Sequence, residues 1–238
     1  TKELVSAMSK TVLGFEPGTR FKYSLCHDVL AAFVEVVSGQ KFEEYVKENI
    51  FTPLGMNDST FLISEEERET IACQYRFNSQ THKAEDCGKG NWYVCGSEYA
   101  SGGAGCISTV DDYIKFLEAL RVGDVILKKE TIQFMATDRL TAQQKQSYIA
   151  ADNYGYGLGM RTPKEGGQFV DFGWGGAAGA HLAVDIPNGI TIYYVQHLLG
   201  SPNQKIRVRV YEYLLADILG KDVTIDETDE EGEYKYTF

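Results

Sequence analysis

The sequence predicts an α+β fold, an antiparallel sheet flanked by helices, from three observations. Early in the chain apolar residues recur at helical spacing, first Val29, Leu30, Phe33, Val34 and Val37, then Phe42, Tyr45, Val46 and Ile50. Later, Gln168 to Gly173, His181 to Asp185 and Ile190 to His197 are short runs rich in β-branched and aromatic residues, and Pro187-Asn188-Gly189 is a hairpin turn between the last two. A final helical stretch from Lys205 to Leu219 carries Ile206, Val210, Tyr213, Leu214 and Ile218 on one side and ends at Gly220.

Composition bounds what such a fold can do. The chain has 238 residues and a formal net charge of -11, which argues against a nucleic-acid backbone or an anionic membrane as partner, since both reward basic patches. No apolar run is long enough to cross a bilayer, and TKELVSAMSK lacks the apolar core of a signal peptide, so the chain as given is expected to be soluble. Its compartment, cytoplasm or cell envelope, is left open. The five cysteines, Cys26, Cys73, Cys87, Cys95 and Cys106, form no CxxC pair, which suggests reduced thiols, although the spacing leaves room for a Cys87 to Cys95 bridge. Neither they nor His82, His181 and His197 have metal-ligand spacing, and no metal or other cofactor is expected.

Each element has a local cause. Leu4, Val5, Met8 and Val12 suggest a short helix within Thr1 to Leu13, and Pro17-Gly18 marks a turn. Gly39 ends the helix that begins near Val29, and Pro53 stops the next one. Residues 64–97 are polar, with an acidic run at Glu65 to Glu67; Tyr75, Phe77, Trp92 and Tyr93 either line a pocket or form a small satellite core. The glycines of Tyr99 to Thr109 let backbones approach closely, and no lysine follows them at phosphate-loop spacing. Ser108 or Thr109 is placed to cap a helix whose face is Val110, Tyr113, Ile114, Leu117 and Leu120. A further helical region centres on Glu130 to Thr137, and the glycine alternation of Tyr154 to Met160 suits a strand passing close to another backbone.

Candidate nucleophiles are scarce. A Ser-x-x-Lys spacing, which puts hydroxyl and amine on one helical face, occurs only at Ser38 to Lys41, and Gly39 breaks the helix between them. No Gly-x-Ser-x-Gly elbow exists. Cys26 and His27 are adjacent, so on a helix they point about a quarter turn apart and do not face each other.

The order of motifs resembles the serine β-lactamase and penicillin-binding-protein superfamily, in its class C-like branch of esterases and D-alanyl-D-alanine carboxypeptidases. The resemblance rests on Pro17-Gly18-Thr19-Arg20-Phe21-Lys22-Tyr23-Ser24, then Ser38-Gly39-Gln40-Lys41-Phe42, then Pro53-Leu54-Gly55-Met56, with the glycine run 99–109 matching again. It implies a β-lactamase/transpeptidase-like domain over residues 1–221, with a helical, loop-rich lobe at 62–150 and strands plus the last helix at 151–221, followed by an acidic tail or hairpin at 222–238. It implies that Tyr23 is a general base or proton relay. Trp174, Gly175, Gly176 and Ala177 would line the substrate cleft, with the Ala177 N–H as half of an oxyanion hole.

Two departures matter. Leu25 stands where the family has an asparagine that hydrogen-bonds the catalytic lysine, and Trp174 stands where penicillin-recognising members have a lysine, which favours esters or amides over β-lactams. The family's Ser-x-x-Lys helix precedes the Tyr-Ser motif, so the nucleophile is expected on an upstream segment, and the sheet is expected to show an unpaired edge that this segment or a second copy would cover. The expected activity is hydrolysis of a small-molecule ester, amide or peptide through an acyl-enzyme. The alternative is a non-catalytic binding or regulatory module.

Overall fold

The computed structural model describes residues 1–88, 96–167, 169–201 and 204–220. Trp92, Tyr93, Cys95, Gln168, the side chain of Ile206 and the acidic tail lie outside the described residues.

The first half is helical. Helix α1 (Lys2–Met8) is followed after an extended stretch by α2 (Cys26–Ser38), and Gly39, at φ 73°, ends α2 in the left-handed conformation that glycine tolerates. Helix α3 (Phe42–Val46) continues through a π-helical turn, Lys47–Phe51, into α4 (Thr52–Leu54), which Gly55 ends in the same way. Val46, Phe51, Met56 and Phe61 form one core cluster here.

The lobe that reads as loops contains a hairpin, β1 (Tyr75–Asn78) and β2 (Lys83–Asp86). Strand β1 also pairs in parallel with β8 (Leu198–Leu199) in a sheet of order β2-β1-β8. These strands lack apolar alternation because most of their side chains face solvent, so only the pairing reveals them.

Helix α5 (Val110–Val122) starts as expected, with the Thr109 hydroxyl accepting from the Asp112 N–H at 3.2 Å. Helices α6 (Lys129–Met135) and α7 (Ala142–Lys145) follow, the latter with a capping box between Thr141 and Gln144. The main sheet comprises β3 (Gly155–Tyr156), β4 (Arg161–Thr162), β5 (Phe172–Gly175), β6 (His181–Asp185) and β7 (Ile190–Tyr194). It is antiparallel throughout, in the order β3-β4-β5-β6-β7. The glycine-rich segment is therefore a hairpin of two short strands, and the strand expected to begin at Gln168 runs instead over β5. The hairpin between β6 and β7 turns at Gly189, φ 70°, with Asp185 accepting from the Asn188 backbone N–H at 2.9 Å. Among the described residues no strand pairs with the outer side of β7.

Helices cover both faces of this sheet. Ala183 and Ile192 meet Tyr211 and Leu215 of α8 (Gln204–Leu219), while Phe172 and Val184 meet Leu117 and Leu120 of α5 and Ile132 of α6. The alternation of Ala183 and Val184 between faces follows from the two-residue period of a strand. In α8 the buried face is not the one read from the sequence, since Tyr213 and Ile218 are exposed. The helix is turned so that the Tyr211 hydroxyl donates to the buried Asp185 carboxylate at 2.7 Å.

Helix α2 is turned outward. Val29, Leu30, Phe33, Val36 and Val37 are 41 to 69% exposed, and the inward face is Asp28, Ala31, Ala32 and Glu35. The acidic pair is buried because it is hydrogen-bonded: Glu35 accepts from the backbone N–H groups of Lys2 and Phe42 at 3.2 Å each.

Candidate active site

The N-terminal end of helix α2 lies against the glycine run of residues 101–105. Its side chain one turn in, Asp28, is fully buried and accepts from the Tyr99 hydroxyl and, at 2.7 Å, from the Ser101 hydroxyl. Those bonds draw residues 101–105 onto the helix. A Cβ on Gly102 would lie 2.5 Å from the His27 carbonyl oxygen and 2.7 Å from the Ala31 Cβ, so only glycine permits this approach.

The residues before α2 are held from the other side. The Phe21 N–H donates to the Ser147 hydroxyl at 2.8 Å, and the Phe21 ring wedges edge-on between Tyr148 and Tyr156, with centroids 4.7 and 4.8 Å away. Two residues on, the half-exposed Tyr23 ring stacks on Trp174 of β5, with centroids 5.8 Å apart and planes 12° from parallel. Tyr156 of β3 meets the same indole edge-on at 5.6 Å and 79°. Residues about 130 to 150 positions apart in sequence thus form one aromatic wall. Burial pushes the Tyr156 phenol up to about 12, and the neighbouring Tyr23 hydroxyl and Cys26 thiol add to the effect. It stays protonated at neutral pH.

Strand β5 must present its indole while packing flat on β6. Trp174 lies opposite Leu182 in register, and a Cβ on Gly173 would fall 2.1 Å from the Leu182 carbonyl oxygen. Beyond the indole the strand turns at 176–180, where the Gly176 N–H donates to the Ala180 carbonyl at 2.7 Å and the Gly179 N–H to the Gly176 carbonyl at 3.0 Å. Gly175 and Ala177 flank Gly176 at the end of the strand that carries Trp174.

The other candidates separate from this cluster. The Ser38 hydroxyl donates back to the Val34 carbonyl at 2.7 Å at the end of α2, and Lys41 lies past Gly39 at the start of α3, so the two share no helix face. Cys26 is exposed at the start of α2, and the next residue, His27, packs against Gly159, where a Cβ would lie 2.8 Å from its Nε2. Leu25 occupies the N-cap position of α2 and makes no side-chain cap bond. His181 lies beside Arg161 inside the sheet, and His197 lies against the Ala72 carbonyl. Among the described residues no group of His, Cys, Asp or Glu side chains is arranged to hold a metal ion, and no helix is long and apolar enough to cross a membrane.

Sequence reading gave Tyr156, Phe21, Asp28 and Tyr99 no role in the candidate site. Phe21 stood within the Pro17 to Ser24 motif, Tyr99 at the head of the glycine run and Tyr156 between glycines, while Asp28 carried no signal.

A family model described as Beta-lactamase matches residues 1–215. Protein Rv1367c of Mycobacterium tuberculosis (strain ATCC 25618 / H37Rv) is 30% identical over 214 residues, covering 81% of this chain and 53% of that protein. Esterase EstB of Burkholderia gladioli is 27% identical over 216 residues, covering 80% of this chain and 53% of its own length. The chain therefore spans about half the length of the curated relatives it matches. Among solved structures, EstCE1, a hydrolase with promiscuous acyltransferase activity, superposes with a TM-score of 0.74 at 22% identity over 88% of this chain and 61% of that one. At that identity the likeness speaks for the fold.

Proposed function

The chain belongs to the beta-lactamase family, and from that premise we propose that it forms the cleft of a serine hydrolase that cleaves small esters or amides through an acyl-enzyme. The observation that carries this reading is the stack of Tyr23 on Trp174, because it sets the proposed base against the proposed substrate wall.

In this reading Tyr23 takes the proton from the attacking serine or passes one to the leaving group. Trp174 offers an apolar surface and one N–H donor where a cation would grip a carboxylate, which favours uncharged ester or amide substrates. The turn after β5 uses the N–H groups of Gly176 and Gly179 for its own bonds. The N–H of Ala177 is the proposed oxyanion donor, with Gly175 and Gly176 letting substrate approach the backbone. The serine and its lysine are assigned to residues outside these 238. The apolar face of α2, which begins beside Tyr23, is a surface on which such a segment can pack.

The test is covalent labelling of the full-length protein by a fluorophosphonate, with hydrolysis of a short-chain aryl ester. Tyr23→Phe is expected to lower kcat by about 10²-fold or more, the usual contribution of a positioned base. Absence of labelling and hydrolysis in the parent protein would favour the non-catalytic module. Unchanged kcat in Tyr23→Phe would remove that residue from the chemistry.

A further inference from the structure

We propose that Tyr156 sets how large an apolar acyl group the cleft accepts, acting as a wall that stands edge-on to Trp174 and cannot retreat. The inference rests on the hydrolase reading of the cleft and names a substrate class for it, esters whose acyl part is small.

The backbone that carries Tyr156 is pinned on every side. Its N–H donates to the Asp138 carboxylate at 3.2 Å, and its carbonyl accepts from the Arg139 N–H at 2.9 Å. The flanking glycines leave no slack, since a Cβ on Gly155 would lie 2.4 Å from the Asp138 Cγ and one on Gly157 2.0 Å from the Met135 carbonyl oxygen. That carbonyl also accepts from the Leu158 N–H at 3.0 Å. Behind the Tyr156 ring stand Phe21 and Tyr148, with centroids 4.8 and 5.7 Å away, so the side chain is backed as firmly as its backbone.

A wall fixed in this way discriminates by size. One methylene too many in a rigid pocket costs roughly 10- to 200-fold in kcat/KM, and a ring held by packing and hydrogen bonds does not yield as a loop side chain would. The Tyr156 hydroxyl remains neutral over the physiological range, so the wall keeps its apolar character there.

The experiment compares 4-nitrophenyl octanoate with 4-nitrophenyl acetate in the full-length protein, reading the ratio of their kcat/KM values. Tyr156→Ala is expected to raise that ratio about tenfold or more, Tyr156→Trp to lower it, and Tyr156→Phe, which keeps the ring, to leave it within about twofold. An unchanged ratio in Tyr156→Ala, or an equal shift in Tyr156→Phe, would overturn the proposal while leaving the hydrolase reading intact. If the parent cleaves neither ester and takes no fluorophosphonate label, the hydrolase reading fails, and the wall is then tested by binding. In a Trp92→Phe background of the 238-residue chain the fluorescence of Trp174 reports the uncharged octanamide and acetamide; Tyr156→Ala should shift preference toward octanamide, and an unchanged preference overturns the proposal.

Discussion

At the scale of single residues, Asp138 shows how one carboxylate can hold the backbone that carries Tyr156. It accepts from the N–H groups of Leu140 and Tyr156 at 3.1 and 3.2 Å, and Lys145 Nζ lies 2.7 Å from it. Burial alone would raise its pKa, but the Lys145 bond, the two backbone bonds and the lysine charge outweigh burial and hold it below the ordinary aspartate value. A depressed folded-state pKa contributes stability that is present above the unfolded value, near pH 4, and is lost as pH falls through the folded one. Asp138→Asn is therefore expected to cost about 1–3 kcal/mol at pH 7 and less at a pH below the ordinary aspartate value, measured as urea midpoints at the two pH values. An equal cost at both would show that charge plays no part. Tyr23 and Trp174 were legible at this scale because each sits in a motif whose order along the chain marks it. Tyr156 and Asp28 were not, because a tyrosine between glycines and an aspartate in a first helical turn have ordinary local explanations.

At the scale of elements, α2 is the informative case. Its apolar period was legible in sequence and made it a helix, yet that stripe faces outward, while the buried Ala31 faces the glycine run. Small residues win the inner face because the backbone of residues 101–105 passes within contact of the helix, and bulk there would push it away. Ala31→Leu is expected to cost about 1–3 kcal/mol by overpacking. Phe33→Ser in the 238-residue chain should stay within about 0.5 kcal/mol of the parent, as an exposed site does. Chemical denaturation measures both, and a large loss for Phe33→Ser would mean that the stripe is covered in solution. The β1–β2 hairpin teaches the converse: with no buried alternating face, its strands leave no pattern for sequence reading to find.

At the scale of the whole molecule, a buried polar network ties the sheet to its last helix. Arg161 of β4 pairs with the fully buried Asp171, donates to the Leu182 carbonyl at 3.0 Å and lies 4.5 Å from the Tyr154 ring centroid. Further along the same face, Tyr211 of α8 donates to Asp185. Arg161→Met is expected to cost about 3–5 kcal/mol by leaving a buried carboxylate without its cation, and the double variant Arg161→Met, Asp171→Leu less than the single one. A double-mutant cycle by urea denaturation decides it, and additive losses would show that the pair is not coupled. What the sequence determined by itself was local or ordered along the chain: the type of the main helices and of the last strands, the stops at Gly39 and Gly220, the Pro187 to Gly189 turn, and the succession of family motifs. Periodicity gives an element a face but does not say what the face meets. That choice belonged to the tertiary structure, which turned α2 and α8 to satisfy buried carboxylates, left the outer edge of β7 unpaired among the described residues, and brought Tyr23, Tyr156 and Trp174 into contact across more than a hundred residues of chain.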